Sequence, residues 1–305
     1  MKAEQLYSPC RLCPRRCGVD RIAGKTGLCG ETAVVRAARA ALHMWEEPVI
    51  SGDHGSGTVF FSGCSLRCIF CQNRAISADG FGRPVTVQQL ADIYLSLEAQ
   101  GAHNINLVTA SHFLPHIISS LQLAKSKGLT LPIVYNSGGY ESAESLRLLD
   151  GLIDIYLPDF KYLSPALAGR FSHAPDYPEA AQKALAEMVR QTGRPVMING
   201  LMKRGVLVRH LVLPRRTHEA MRILDYLYGA YSNNILYSIM GQYTPPSFPL
   251  EPPELNRRLL RREYEAVIEH ALSLGIQNGY YQQLESAKSD YTPVFDGSGL
   301  SENIP

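Results

Sequence analysis

GTVFFSGCSLRCIFCQN, residues 57–73, runs from an apolar stretch straight into three cysteines spaced C-x3-C-x2-C. Gly57–Phe61 reads as a strand, so the cysteines sit in the loop that leaves it. Three thiolates in so tight a loop can hold three irons of a [4Fe–4S] cluster, which a fourth thiolate normally completes. No fourth cysteine is near; Gln72 and Asn73 follow instead. A cluster held by Cys64, Cys68 and Cys71 therefore keeps one iron open. An open coordination position permits chemistry, as it does at catalytic zinc. The plainer reading is a zinc site, or a structural cluster that borrows a distant ligand.

Outward from this stretch, strand-like runs alternate with amphipathic segments. Thr86–Gln89 reads as a capping box that opens a helix, with Leu90, Ile93, Tyr94 and Leu97 at helical spacing. Strands follow at 104–109, 132–136, 154–160, 195–199, 206–214 and 235–240. Helices are expected from Leu114 to Gly128, over 142–151, over 178–192, after 217, and from Pro253 to Leu274. A repeated β–α series of this kind implies an α/β fold, a parallel sheet with helices outside it. The series divides the chain into a Cys-rich N-terminal metal-binding segment with an arm (1–55), the β–α body (56–280) and a C-terminal tail (281–305) that either wraps back over the body or hangs loose.

The other four cysteines lie in CRLCPRRCGVDRIAGKTGLCG, residues 10–30, and none of the chain's seven occurs after Cys71. An odd number in two tight groups is a poor disulfide framework, whereas clustered thiolates in a reducing compartment bind metal. A phosphate loop fails on spacing, because GVDRIAGKT puts five residues between its glycines where four are needed. Cys10, Cys13, Cys17 and Cys29 can instead close a four-thiolate site. Zinc and an auxiliary [4Fe–4S] cluster both suit that set, and spacing does not choose between them.

Composition narrows the partners. With 305 residues, 45% of them hydrophobic, and a formal net charge of +2, the chain can build a sizeable core. The near-neutral balance does not argue for a nucleic-acid binder. Arginines in 213–220 and 257–265 read as solvated helix faces, or else as a docking surface for an acidic protein or RNA. No apolar run reaches membrane-spanning length, and the first residues lack a signal's apolar core. A cytoplasmic protein without a membrane partner is expected.

The cysteine spacing, with Phe70 before the last cysteine, resembles the signature of radical S-adenosylmethionine enzymes. The segments SGDHGSGTVFFSGC (51–64), NLVTASHFLP (106–115), YNSGGYES (135–142), DIYLPDFKY (154–162) and YTPVFDGSG (291–299) resemble the less characterised relatives of the pyruvate formate-lyase activating enzyme-like branch. The resemblance implies a partial (β/α)6 TIM-like barrel with the cluster after its first strand. It implies that the amine and carboxylate of S-adenosylmethionine bind the open iron. One electron from the reduced cluster then breaks the sulfonium C–S bond, and a 5′-deoxyadenosyl radical abstracts a substrate hydrogen. The implied partners are an electron donor such as flavodoxin or ferredoxin and a protein or peptide substrate, with a glycyl radical enzyme suggested by the branch.

Barrel chemistry gathers at the C-terminal ends of strands. Those ends hold Thr109, Ser111, His112, Asn136, Ser137, Asp159, Lys161, Asn199 and Gln242. The resemblance places Ser111 near the methionyl group. It places Asn136, Ser137, Asp159 and Lys161 near the ribose and carboxylate, and Phe70 near the adenine. Many members carry a Gly-Gly-Glu-like segment after the second strand to hold the methionyl amine. Here that place reads TASHF, leaving the role open between Ser111 and His112. Two other functions stay on the page: radical modification of a small molecule, peptide or RNA base, and a non-enzymatic iron–sulfur or electron-carrier protein.

Overall fold

The computed structural model of the protein describes residues 3–281 and 293–300. An entry strand β1 (Arg36–His43) leads through a one-turn helix α1 (Pro48–Ser51) to β2 (Ser56–Phe61). After the cysteine loop come α2 (Arg74–Ser77), the two-residue strand β3 (Arg83–Pro84) and α3 (Val87–Ala99). The series then runs β4 (Ile105–Val108), α4 (Leu114–Ser126), β5 (Ile133–Ser137), α5 (Ala143–Arg147) and β6 (Ile155–Pro158). It continues through α6 (Pro165–Ser172), α7 (Tyr177–Thr192), β7 (Val196–Ile198) and β8 (Leu201–Leu211). It closes with α8 (Thr217–Tyr231), β9 (Leu236–Met240), α9 (Arg261–Leu274) and β10 (Gly279–Tyr281).

Among the described residues the strands form one sheet in the order β10-β9-β8-β6-β5-β4-β2-β1-β3. From β2 to β10 every neighbouring pair is parallel, and β1 adds antiparallel to β2. The fold is thus α/β with a mostly parallel sheet, and its path is open, ending at β10 and β3. No helix among the described residues is long and apolar enough to cross a membrane.

Local signals set the elements. At the head of α3, Thr86 Oγ1 accepts from Gln89 N at 3.2 Å while Gln89 Oε1 accepts from Thr86 N at 2.8 Å, completing the capping box. β2, β4, β5, β6 and β9 are buried throughout, as strands covered on both faces must be. Side chains alternate between the faces. One set (Val59, Phe61, Leu107, Tyr135, Tyr156, Val208 and Ile239) packs with the helices in the main core. The other set faces inward. Its lower layer, Val134, Ile155, Leu157, Leu207 and Leu236, is apolar and is plugged by Val49 and Ile50 of α1. Above that layer the inward positions turn polar, at the C-terminal ends of the strands.

Three segments depart from the pattern expected of them. The stretch 195–199 is not a parallel strand. β7 pairs antiparallel with β8 around Asn199 and Gly200, both left-handed at φ 52° and 78°. An Asn-Gly pair in that conformation makes the tight hairpin turn, so β8 begins at Leu201. The long helix expected from Pro253 starts only at Arg261. Pro253–Asn256 forms only a single 3-10 turn, where the Asn256 side chain brackets Leu250 through N–H and C=O at 2.7 and 2.8 Å, and Arg257 clamps Glu263 at 2.7 Å. The arm before the body is strand β1 of the sheet itself. The tail expected over 281–305 is described only at residue 281 and at 293–300, its other residues lying outside the described ones. There it returns to β1, where Gly297 N donates to Ala38 O at 3.0 Å and Ala40 N donates to Ser298 O at 2.9 Å.

Candidate active site

The cysteine loop turns sharply out of β2. Gly63 adopts φ 81° and donates to Ile76 O at 2.8 Å; an L side chain there would meet Cys29 O at 2.8 Å. Cys71 N donates to Cys68 O at 3.1 Å, and Ile69 N donates to Phe171 O at 2.9 Å, tying the loop to α6. All three thiols are free and half-buried. Two hydroxyls donate to them: Ser172 Oγ to Cys68 Sγ at 3.0 Å and Ser77 Oγ to Cys71 Sγ at 3.3 Å. Burial, with Cys68 and Cys71 beside it, pushes the Cys64 thiol up to about 12, so a metal must drive off its proton.

Cys68 and Cys71 open into a cleft of about 240 Å³ lined also by Trp45, Glu46, Phe70, Asn136, Asp159, Lys161, Arg209 and Gln242. Its charged wall is one network. Arg209 Nε meets Asp159 Oδ1 at 2.9 Å, its Nη1 meets Glu46 Oε2 at 3.2 Å, and its Nη2 donates to Asn136 Oδ1 at 2.7 Å. Lys161 Nζ meets Asp159 Oδ2 at 2.6 Å. Asn106 Nδ2 and Asn136 Nδ2 both donate to Glu46 Oε1, at 3.1 and 3.2 Å. Burial alone would raise the Asp159 carboxyl, but Arg209 and Lys161 overcome it and hold the group below its ordinary value. Burial likewise opposes the charge on Lys161, and Asp159 with Cys68 holds it above the ordinary lysine value. Glu47, next in sequence to Glu46, is pushed up by burial and accepts from Ser238 Oγ at 2.7 Å.

The residues fit an iron–sulfur cluster by their chemistry. Three thiols share one loop, hydroxyl donors reach two of the sulfurs, and a lysine stands by Cys68. Among the described residues no three His, Cys, Asp or Glu side chains are drawn into a single-ion chelate.

Of the residues the sequence singled out, the fold brings Phe70, Asn136, Asp159, Lys161 and Gln242 to this cleft. Ser111 and Ser137 lie elsewhere. Ser111 Oγ donates to Glu141 Oε1 at 2.8 Å, and Ser137 Oγ accepts from Gly139 N at 3.3 Å. Burial pushes Glu141 up to about 7, and its carboxyl borders a separate cavity of about 430 Å³ that holds no loop thiol. His112 is neutral, its pKa lowered to about 3 by burial and by Arg21, and its Nε2 pairs with Ser62 O at 2.6 Å. Asn199 sits in the β7–β8 turn. Arg209 and Glu46, which knit the wall together, carried no motif. Arg209 was legible as a charge at an inward position of a buried strand, between Leu207 and Leu211.

The N-terminal cysteines form a second group. Cys10, Cys13 and Cys29 are buried and Cys17 is half-buried. The point where a Gly27 side chain would begin is 3.3 Å from Cys17 Sγ and 3.4 Å from Cys29 Sγ, so these sulfurs face each other across a glycine.

A family model described as the radical SAM superfamily matches residues 58–227. An uncharacterized protein of Methanocaldococcus jannaschii is 29% identical over 279 residues, covering 88% of this chain and 76% of that one. Among solved structures, a radical SAM methyltransferase from Sphaerobacter thermophilus superposes with a TM-score of 0.52 at 13% identity. That match covers 76% of this chain and 69% of the other, a likeness of fold.

Proposed function

This chain belongs to the radical SAM superfamily, and we propose that it is a radical enzyme whose cluster is held by Cys64, Cys68 and Cys71, with S-adenosylmethionine in the adjoining cleft. Membership implies both groups. Held by Cys64, Cys68 and Cys71, such a cluster would supply one-electron reduction of the S-adenosylmethionine sulfonium, the source of hydrogen abstraction in this superfamily.

The observation that carries this reading is the sharing of one cleft by Cys68, Cys71 and a balanced charge network. Glu46 and Asp159 are offset by Lys161 and Arg209. A zwitterionic amino-acid head can enter such a network without upsetting it. Its carboxylate meets Lys161 or Arg209, and its amine meets Asp159 or Glu46, which takes the place of the missing Gly-Gly-Glu segment. Phe70, buried against Phe171 and Tyr243, offers an aromatic edge for the adenine. Ser172 and Ser77 donate to cluster ligands and stabilise their charged form.

The substrate in this reading is a glycine of a partner protein, and the electron donor is a flavodoxin or ferredoxin. Trp45, 60% exposed at the rim of the cleft, gives an extended peptide an aromatic surface to lie on. The test is direct. Reconstituted, reduced protein given S-adenosylmethionine forms 5′-deoxyadenosine, and Cys68→Ala stops it. Failure both to bind S-adenosylmethionine and to form that product overturns the reading. A glycyl radical signal on a partner supports the substrate; product without that signal moves the substrate to another class.

A further inference from the structure

Arg21 is 1% exposed, and among the described residues no carboxylate stands at ion-pair distance from it. Its guanidinium lies over the Tyr7 ring at 4.7 Å and the Phe113 ring at 5.7 Å. Its N–H groups go to main-chain oxygens: Nε to Glu31 O at 3.1 Å, Nη1 to His112 O at 2.5 Å, and Nη2 to Thr32 O. The buried Glu31 carboxylate is engaged by Arg36 at 3.6 Å and feels Arg21 only at a distance beyond an ion pair. A guanidinium cannot shed its proton, and carbonyl dipoles and ring faces offset only part of the cost of its burial, which favours a nearby anion.

The side-chain atom that Arg21 does reach is sulfur: Nη1 stands 3.9 Å from Cys10 Sγ. Cys10, Cys13 and Cys29 are buried around it, and Gly27 leaves room for Cys17 Sγ and Cys29 Sγ to face each other. Neutral thiols give Arg21 no counter-charge. Four thiolates around zinc, or around an oxidised [4Fe–4S] cluster, leave a net charge of about −2 in either case. We propose that Cys10, Cys13, Cys17 and Cys29 hold a second, thiophilic metal centre and that buried Arg21 is its counter-cation. This centre uses a thiol set separate from the cleft's, joined to it by the Cys64 N–H bond to Cys29 O, so each is assayed by its own thiols.

The test uses the full chain with Cys64, Cys68 and Cys71 all replaced by Ala, so that only the N-terminal thiols remain. Prepared without oxygen, that variant retains about one zinc, or about four irons with matching sulfide, per chain. Metal well below either ratio overturns the centre. Should the triple variant not fold, the wild-type chain decides. About four irons plus one zinc, or about eight irons, supports the proposal, and about four irons with no zinc refutes it. For Arg21, chelator competition reads the affinity. Arg21→Gln weakens retention roughly tenfold or more, within the range for outer-shell partners, and Arg21→Lys recovers part of the loss. Equal retention in all three proteins removes Arg21 from the role.

Discussion

The main-chain N–H of Cys64 donates to the carbonyl of Cys29 across 3.2 Å, so the first thiol residue of the cleft loop is pinned to the last of the N-terminal segment. Arg15 adds a second strap. Its Nε donates to Ser65 O at 2.9 Å and its Nη2 to Ser172 O at 3.0 Å. The N-terminal segment thus forms the back wall of the loop that carries the proposed catalytic cysteines.

That wall leaves no space at Gly63, which combines φ 81° with a Cβ position 2.5 Å from Glu31 Cγ and 2.8 Å from Cys29 O. Gly63→Ala is expected to destabilise the protein by about 1–3 kcal/mol, the usual penalty for a side chain forced into left-handed backbone. Iron content after reconstitution falls with it. Thermal unfolding and iron analysis check both, and a variant with wild-type values would show that the wall yields.

Ser172 is fully buried and shares its hydroxyl between Cys68 Sγ and Tyr162 OH, the latter at 2.9 Å. Ser172→Ala strips a hydrogen bond from Cys68, a proposed cluster ligand, so the reduction potential is expected to move to a more negative value. It also strands the Tyr162 hydroxyl, at about 1–3 kcal/mol. Spectroelectrochemistry separates the two effects. An unmoved potential with lowered stability would leave Ser172 a packing residue only.

Arg209 answers two carboxylates at once. Arg209→Leu leaves Asp159 with Lys161 and Glu46 with only the amides of Asn106 and Asn136, and breaking a buried pair in this way loses about 3–5 kcal/mol. Affinity for S-adenosylmethionine is expected to fall by at least about tenfold, a loss of about 1.4 kcal/mol in binding. Arg209→Lys keeps the charge without the fork, and recovers stability more than affinity. Equilibrium binding on folded variants tests this, and unchanged affinity in Arg209→Lys and Arg209→Leu alike would exclude the residue from the cofactor site.

Glu141 ties stability to pH. Burial lifts its carboxyl from 4.5 to about 7, and among the described residues no lysine or arginine pairs with it. Between those values the unfolded chain has released the proton and the folded one still holds it. Stability is therefore fully present below 4.5 and is lost as pH rises through about 7, by up to about 3 kcal/mol. Glu141→Gln removes that slope. Urea unfolding of both proteins across the interval checks it, and parallel curves would show that Glu141 ionises freely in the fold.

The β–α rhythm is legible because a parallel strand covered on both faces is mostly apolar, as NINLV and PIVYN are apart from their asparagines. Which polar strand-end residue faces the cleft is harder to read. Asn136 and Ser137 are neighbours, yet only Asn136 shares the parity of Val134 and points inward, while Ser137 points with Tyr135. Fixing that parity requires knowing which apolar neighbour belongs to the floor, a fact of tertiary packing. Glu46 is less legible still, since it lies in the irregular link between β1 and α1 where no period applies. The hairpin at Asn199–Gly200 carries an overt turn signal, but an apolar run such as PVMIN looks the same in an exposed ribbon as in a buried sheet.

The pairing of Ala38 and Ala40 with Gly297 and Ser298, and the Phe60–Phe295 ring contact at 5.4 Å, bear on how the protein is made. During synthesis β1 leaves the ribosome long before the residues that cover it. Contacts across so long a span of chain form late. The flank beside Phe60 and the cysteine loop therefore stays uncovered until residues 293–300 have been made. A truncation before residue 293 would leave the nascent state permanent: a body with its strands assembled and one flank still bare, open to whatever delivers iron and sulfide.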